Sequence, residues 1–390
     1  MIPYGKHHLD DDDIQAVVDI LKGGVLTQGP VVEVFEKAIA GYVGARYAVA
    51  VSSGTAALHI AALAAGVGPG TSLVTSPITF VASANAALYA GGNVLFADID
   101  PVTINMSPDF LQETLKKNQN VRAVIPVHFA GLPCDMPSIK SICDNFETVI
   151  IEDAAHALGA KYADGRRVGS CAYSLMTIFS FHPVKAIATG EGGMITTNDE
   201  SIYRKLLRLR SHGINKLDDA FLMPEQANTK GNPNPWYYEM QELGYHYRIT
   251  DIQCALGLSQ FKKLDMFVER RRELVKAYDA AFDGMQYCRP AQTTGRDQSG
   301  HHLYTLRINF NALDISRAQF IKELKKIDIG SQVHYIPVPA QPYYRNMGFK
   351  PEDYPNAQKY YQEALSIPLF FDLTGEQQNY ITSNLKRLLL

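Results

Sequence analysis

Five short apolar runs, at 47–51, 73–75, 94–97, 123–127 and 148–151, are separated by segments whose apolar residues return at helical spacing. A strand that is apolar on both faces must be covered on both. Strand–helix repetition does this by laying helices over a mostly parallel sheet, so the pattern predicts an α/β chain. In open sheets of this kind functional groups collect at the carboxyl ends of the strands. Four polar clusters occupy such ends: SSGT at 52–55, HFAG at 128–131, EDAAH at 152–156, and a turn after a further strand at 177–181.

That turn holds one lysine, Lys185, between the strand 177–181 and another at 194–197, with a glycine hinge at 190–193. A lysine fixed between buried strands loses water around its ammonium. Its pKa falls and the amine becomes a nucleophile toward carbonyls. A solvated loop lysine is the plain alternative. The neighbours bear on the choice: Ser180 and His182 before it, Thr189 after it, and an acidic strand end upstream. At 52–55, small hydroxyl residues and a glycine open an alanine-rich helix. Its free N–H groups and dipole favour an anion such as phosphate, though the same residues serve an ordinary N-cap. Phe80 falls in the first turn of a helix at 79–89, where both core packing and ring stacking are open to it.

Elsewhere, 10–21 reads as a helix with an acidic first turn, closed by Gly23 and Gly24, and 25–29 as loop. Pro30 opens a helix striped with Val31, Phe35, Ala38, Ile39 and Tyr42. A helix at 199–210 precedes a polar segment, 211–241, punctuated by Gly and Pro. It reads as a surface excursion suited to reaching a partner subunit. Thr250 caps a helix through Phe261, and 267–282 is a charged helix. The expected domains are a large one at 1–285, with the excursion at 211–248, and a smaller α+β one at 286–390. The smaller one is expected to hold strands 303–309 and 332–335, a helix at 316–327, and helices near Tyr360 and at 376–388.

A chain of 390 residues suits that division. Its net charge of −3 and pI near 6.4 argue against a nucleic-acid or anionic-membrane partner. The most apolar run, 78–90, is short and contains Asn85, unlike a membrane span. Residues 1–13 are polar and acidic, unlike a signal peptide. Five scattered cysteines with no CxxC suit a reducing, cytoplasmic location and give no metal-site signal. The adjacent His301 and His302 make no metal pair, because neighbours on a strand face opposite sides.

An anion site, a strand-end carboxylate and a nucleophilic lysine form the set that pyridoxal 5'-phosphate needs for its phosphate, pyridinium nitrogen and aldehyde. The order of motifs goes further. LTQGP (26–30), SSGTAALH (52–59), TSPITFVASAN (75–85), VHFAG (127–131), EDAAHALGA (152–160), FSFHPVK (179–185), TGEGG (189–193), RSHG (210–213) and ITDIQCALGLSQ (249–260) occur in sequence. With them the chain resembles the nucleotide-sugar aminotransferases of pyridoxal-phosphate fold type I, over essentially its whole length. PWYYEMQELGY (235–245), VHYIPV (333–338), QPYYR (341–345) and the SFHPVK turn resemble one branch of that family. That branch works in pseudaminic acid biosynthesis. It aminates C4 of a UDP-4-keto-6-deoxy-N-acetyl-L-altrosamine-type sugar, with L-glutamate as donor.

The resemblance implies a role for each matching position. Lys185 would be the Schiff-base lysine and the proton-transfer base, and Asp153 would pair with the pyridinium nitrogen. His156, where glutamine is common, would lie beside the ring oxygen, and Phe80 would stack on the ring. Ser53, Gly54, Thr55 and Ser180 would hold the phosphate. Tyr4, the loop Gly24, Val25, Leu26 and Thr27, and the run Gln332, Val333, His334 and Tyr335 would lie along the sugar-nucleotide site. The family is dimeric, with the active site at the subunit interface, and a residue of its GYxYR segment reaches the neighbour's phosphate. His246 stands there in place of the usual asparagine, and Ala188 replaces a hydroxyl residue after the lysine. No metal is implied.

Lys185 argues against the sugar dehydratases of the same fold, which carry histidine there. A perosamine- or bacillosamine-type 4-keto-6-deoxy sugar is the alternative acceptor. A nicotinamide-dependent oxidoreductase would need GxGxxG after the first strand, where the chain has SSGT. A non-catalytic cofactor-binding protein would have no need of Lys185 and Asp153 together.

Overall fold

Alternation along each strand decides which layer a side chain joins, and the main sheet shows it directly. The computed structural model describes residues 1–216 and 220–389. Seven strands make the sheet: β1 (Tyr47–Val51), β2 (Ser72–Thr75), β3 (Asn93–Phe96), β4 (Val121–Ile125), β5 (Val149–Asp153), β6 (Met176–Ser180) and β7 (Gly193–Thr197). Their order is β1-β7-β6-β5-β4-β2-β3. The pairs β2–β3, β2–β4, β4–β5 and β5–β6 are parallel; β7 runs antiparallel to both neighbours. The sheet is mostly parallel, as expected. β7 reverses because the turn after β6 returns without the helical crossover that a parallel neighbour needs.

Ala48, Ala50, Val74, Val124, Ile150, Phe179 and Met194 face one layer. α1 (Asp11–Gly23) packs against the helix Asp251–Phe261, and α2 (Pro30–Val43) brings Phe35, Ile39 and Val43 to this layer. Val49, Val51, Leu73, Ala123, Ile125, Ile151, Ile178 and Ile195 face the other. There the alanine-rich helices α3 (Gly54–Ala64) and α4 (Val81–Tyr89) lie close on the sheet. Burying such two-sided strands supplies most of the driving force for this arrangement.

The C-terminal region holds a three-stranded antiparallel sheet, Cys288–Pro290, Tyr304–Ile308 and Ala364–Ile367. The helix Leu264–Phe282 serves both regions. Leu264, Phe267 and Val268 join the first core, while Leu274, Val275, Tyr278 and Phe282 join the C-terminal one.

Several local expectations need correction. Residues 332–335 are not a strand: Gln332 makes a lone bridge to Ser366, and the chain leaves the sheet edge after it to line the cavity. Phe80 is the N-cap of α4 rather than a first-turn residue. The helix Pro108–Lys117 and the strand Ala364–Ile367 were not foreseen from the sequence. The segment 211–248 exposes Leu222, Trp236, Met240 and Leu243; residues 217–219 within it lie outside the described residues. Among the described residues no helix is long and apolar enough to cross a membrane.

Candidate active site

β1, β5 and β6 deliver their carboxyl ends to one cavity of about 600 Å³. At β1 the chain enters α3 through Ser53, whose side chain caps the helix by accepting from the Ala56 N–H. The first-turn N–H groups of Gly54 and Thr55 have no preceding helix carbonyl to bind, and they line the cavity. This approach needs glycine twice. A Cβ on Gly54 would come within 2.9 Å of the Ser180 Cβ, and one on Gly193 within 2.5 Å of the Ser53 carbonyl oxygen.

β5 ends in Glu152 and Asp153. Strand alternation sends Asp153 to the α4 side, where Ser83 Oγ donates to its Oδ2 at 2.6 Å and the Ala155 N–H donates to its Oδ1 at 3.1 Å. Each oxygen keeps acceptor capacity toward the cavity. After β6, Phe181 is stapled by backbone bonds to Gly192 and Thr189, and the Lys185 N–H donates to the His182 carbonyl. These bonds aim Lys185 inward. Part of its side-chain surface opens to the cavity, but protein surrounds it. That burial pulls its pKa down to about 8, with the Asp153 carboxylate pulling the other way.

Three more histidines close the wall. The His156 Nε2 lies 3.2 Å from the Tyr335 hydroxyl, and the His334 Nδ1 lies 2.9 Å from Ser366 Oγ. The His302 Nε2 lies 3.5 Å from Lys185 Nζ. Burial, reinforced by the nearby Lys185 charge, holds all three pKa values well below the ordinary histidine range, that of His334 at about 4. At neutral pH they are uncharged. The buried Nδ1 atoms of His156 and His302 find no partner among the described residues.

Of the residues singled out from the sequence, the fold gathers Tyr4, Ser53, Gly54, Thr55, Phe80, Asp153, His156, Ser180, Lys185, Gln332, Val333, His334 and Tyr335 around this cavity. It does not bring Gly24, Val25, Leu26, Thr27 or His246 there. The loop 24–27 is exposed, and so is His246, whose ring lies against His212. Thr27 bridges Thr250, so the two outlying groups belong to neighbouring segments. Sequence reasoning missed Ser83 and gave His302 no role beyond the rejected metal pair. Ser83 in the first turn of α4 and Thr79 just before its N-cap, bonded to each other at 2.7 Å, are hydroxyl residues four apart in the sequence, a signal that was present. Nothing local could aim His302 at a lysine 117 residues away.

Amide donors at a helix start, a buried carboxylate, a lysine of lowered pKa and orphaned buried nitrogens fit a phosphorylated pyridine aldehyde. Residues 7–386 match the DegT/DnrJ/EryC1/StrS aminotransferase family. The chain belongs to that family. It is a pyridoxal-phosphate-dependent sugar aminotransferase. The spore coat polysaccharide biosynthesis protein SpsC of Bacillus subtilis is 39% identical over 96% of this chain and 94% of its own. A UDP-4-amino-4,6-dideoxy-N-acetyl-beta-L-altrosamine transaminase of Campylobacter jejuni is 35% identical over 100% and 98%. Among solved structures, PseC of Helicobacter pylori, an aminotransferase involved in the biosynthesis of pseudoaminic acid, superposes with a TM-score of 0.89 at 29% identity. The match covers 100% of this chain and 99% of PseC. The PLP form of a putative sugar aminotransferase of Streptococcus pneumoniae superposes with a TM-score of 0.88 at 29% identity, covering 100% and 98%.

Proposed function

We propose that this family member transfers the amino group of L-glutamate to C4 of a UDP-4-keto-6-deoxy-N-acetyl-L-altrosamine-type sugar, in pseudaminic acid biosynthesis. The observation that carries the reading is the end-to-end likeness to the Campylobacter transaminase. Bound pyridoxal phosphate supplies an electron sink for the carbon that bears the transferred nitrogen. Lys185, with a pKa near 8, is neutral in about one molecule in ten at pH 7, far more than an ordinary lysine, and would bond the aldehyde and carry a proton to and from that carbon. Asp153 would hold the pyridinium charge, His156 would serve the ring oxygen, and Phe80 would offer an aromatic surface to the ring; all three line the cavity. Ser53, Gly54, Thr55 and Ser180 take the phosphate. Tyr4 and the run Gln332, Val333, His334 and Tyr335 face the sugar.

The working unit in this proposal is a cytoplasmic homodimer, in which the large lobe, 1–285, and the small lobe, 286–390, of each subunit frame one site. The exposed apolar side chains of 211–248 support it, as do the exposed Val25 and Leu26. Loop 24–27 and His246 would then enter the neighbour's cavity together. Five unpaired, buried cysteines fit the compartment.

The test is an absorbance titration of the cofactor-loaded protein. Glutamate is expected to bleach the visible band, and the UDP-4-keto-6-deoxy-L-altro sugar to restore it. The likeness to SpsC favours a second reading, with another 4-keto-6-deoxy nucleotide sugar as acceptor. Bleaching that this sugar fails to reverse, but a perosamine- or bacillosamine-type precursor reverses, would move the assignment there.

A further inference from the structure

Lys185 Nζ and His302 Nε2 lie 3.5 Å apart, at the outer edge of hydrogen-bond reach, inside protein. His302 is held from both ends of its backbone. Its N–H donates to the Ala130 carbonyl at 2.8 Å. Its carbonyl accepts from Arg271 Nη1 at 3.3 Å, and the same nitrogen donates to the Leu369 carbonyl at 3.0 Å. Arg271 is a buried guanidinium whose partners among the described residues are all carbonyl oxygens, and a buried cation fixing these carbonyls holds the backbone at His302 in place. The ring itself packs 4.4 Å from that of His156.

We propose that His302 is a positioning residue for Lys185: its Nε2 accepts an N–H from the lysine amine and keeps that amine turned into the cavity whenever it is not bonded to the cofactor. The titratable groups that share the cavity with the amine are Asp153 from β5, His156 just after it, His302, His334 and Tyr335 from the C-terminal region, His182 and Glu191 on its own turn, and Tyr4; Lys6, His7, His8 and Arg271 line the crevice behind. Asp153 is the carboxylate whose charge acts on the amine, and His302 Nε2 is the ring nitrogen within 3.5 Å of it. An acceptor at this distance favours the ammonium over the free amine, so His302 opposes the burial that drives the Lys185 pKa down.

The inference does not depend on which sugar is accepted, because no sugar enters its test. Full-length protein freed of cofactor is mixed with pyridoxal phosphate across a pH series, and the rate of capture at Lys185 is read by absorbance. Lys185→Ala gives the background from other amines. The wild-type rate is expected to rise through a midpoint set by Lys185. His302→Leu removes the acceptor without admitting water and should lower that midpoint by about one pH unit. His302→Gln, whose amide oxygen reaches the place of Nε2, should restore it. If the leucine variant does not fold, His302→Met makes the same test. A midpoint that stays or rises in the apolar variant, or a glutamine variant displaced as far as the apolar one, would overturn the proposal.

Discussion

Glu152 and Asp153 are neighbours of one residue class at the end of one strand, and they have opposite fates. Glu152 faces the α2 layer, fully buried, and is saturated. His128 Nε2 at 2.8 Å and the Tyr162 hydroxyl at 2.6 Å donate to one oxygen, Ser174 and Thr177 to the other. His128 Nδ1 accepts the Cys134 N–H, so its proton sits on Nε2 and the contact is a neutral imidazole donating to a carboxylate. Four donors leave that carboxylate no capacity for anything else. Asp153, across the sheet, has one side-chain donor and one backbone donor, and opens on the cavity. Identity and position along the chain do not separate a sealed acid from one open to the cavity. What separates them is how many lone pairs the fold leaves unspent.

The comparison breaks first at Lys185, on the open side. Lys185→Ala is expected to cut transamination by at least about a thousandfold, because covalent capture and proton transfer share one amine. Circular dichroism and the melting temperature should be unchanged, since the side chain ends in a cavity. Normal turnover by this variant would remove the basis of the site. Asp153→Asn comes next. It keeps the shape and the Ser83 contact but loses the charge, and kcat should fall about a hundredfold with little change in stability. A large loss of stability with kcat preserved would mean that Asp153 belongs with Glu152 as a structural acid.

The strands, their order along the chain and the strand-end clusters were legible in the sequence, because period and polarity are local. Thr250 as the cap of the helix Asp251–Phe261 was legible for the same reason. The strand Ala364–Ile367 was not: four residues before Pro368 are too short to show a period, and it exists by pairing with Tyr304–Ile308 far upstream. The helix Pro108–Lys117 carries its own local signals, with Pro108 at its start and Lys116 and Lys117 at its end. At the site, Lys185 and Asp153 were readable from their own neighbours. His302 was not, since its role comes from a backbone fixed by Arg271 and Ala130. Nor does local pattern tell which carboxylate of the pair at 152–153 is sealed, until the cores on each face identify the layers.

Glu152→Gln probes the sealed side. One oxygen becomes an amide nitrogen and then meets buried donors, either His128 and Tyr162 or Ser174 and Thr177. A loss of about 1–3 kcal/mol of stability is expected, with kcat within about threefold of wild type for the protein that folds. The acid limb sharpens this. Burial pushes the Glu152 pKa up, but the bonds from His128, Ser174 and Tyr162 outweigh it and hold the pKa below the ordinary value of 4.5. The stability it contributes is therefore fully present above pH 4.5 and lost as pH falls through the lower folded value. Denaturation midpoints measured from pH 6 down to 3 should converge between wild type and variant at the acid end. Parallel curves would show that Glu152 is not the group being protonated.

Tyr162→Phe is the finest test, because it removes one of the four donors and nothing else. The ring stays packed in the α2-side core, the carboxylate retains three partners, and the expected cost is about 1 kcal/mol. Burial, and then the adjacent Glu152 charge, raise the Tyr162 pKa, so the hydroxyl stays protonated across the working range and the cost should not vary with alkaline pH. Cofactor capture and turnover should match wild type, since the Asp153 contacts lie on the opposite face. A Tyr162→Phe protein that melts normally but captures pyridoxal phosphate poorly would mean that the two faces communicate through β5, and that the sealed acid sets the position of the open one.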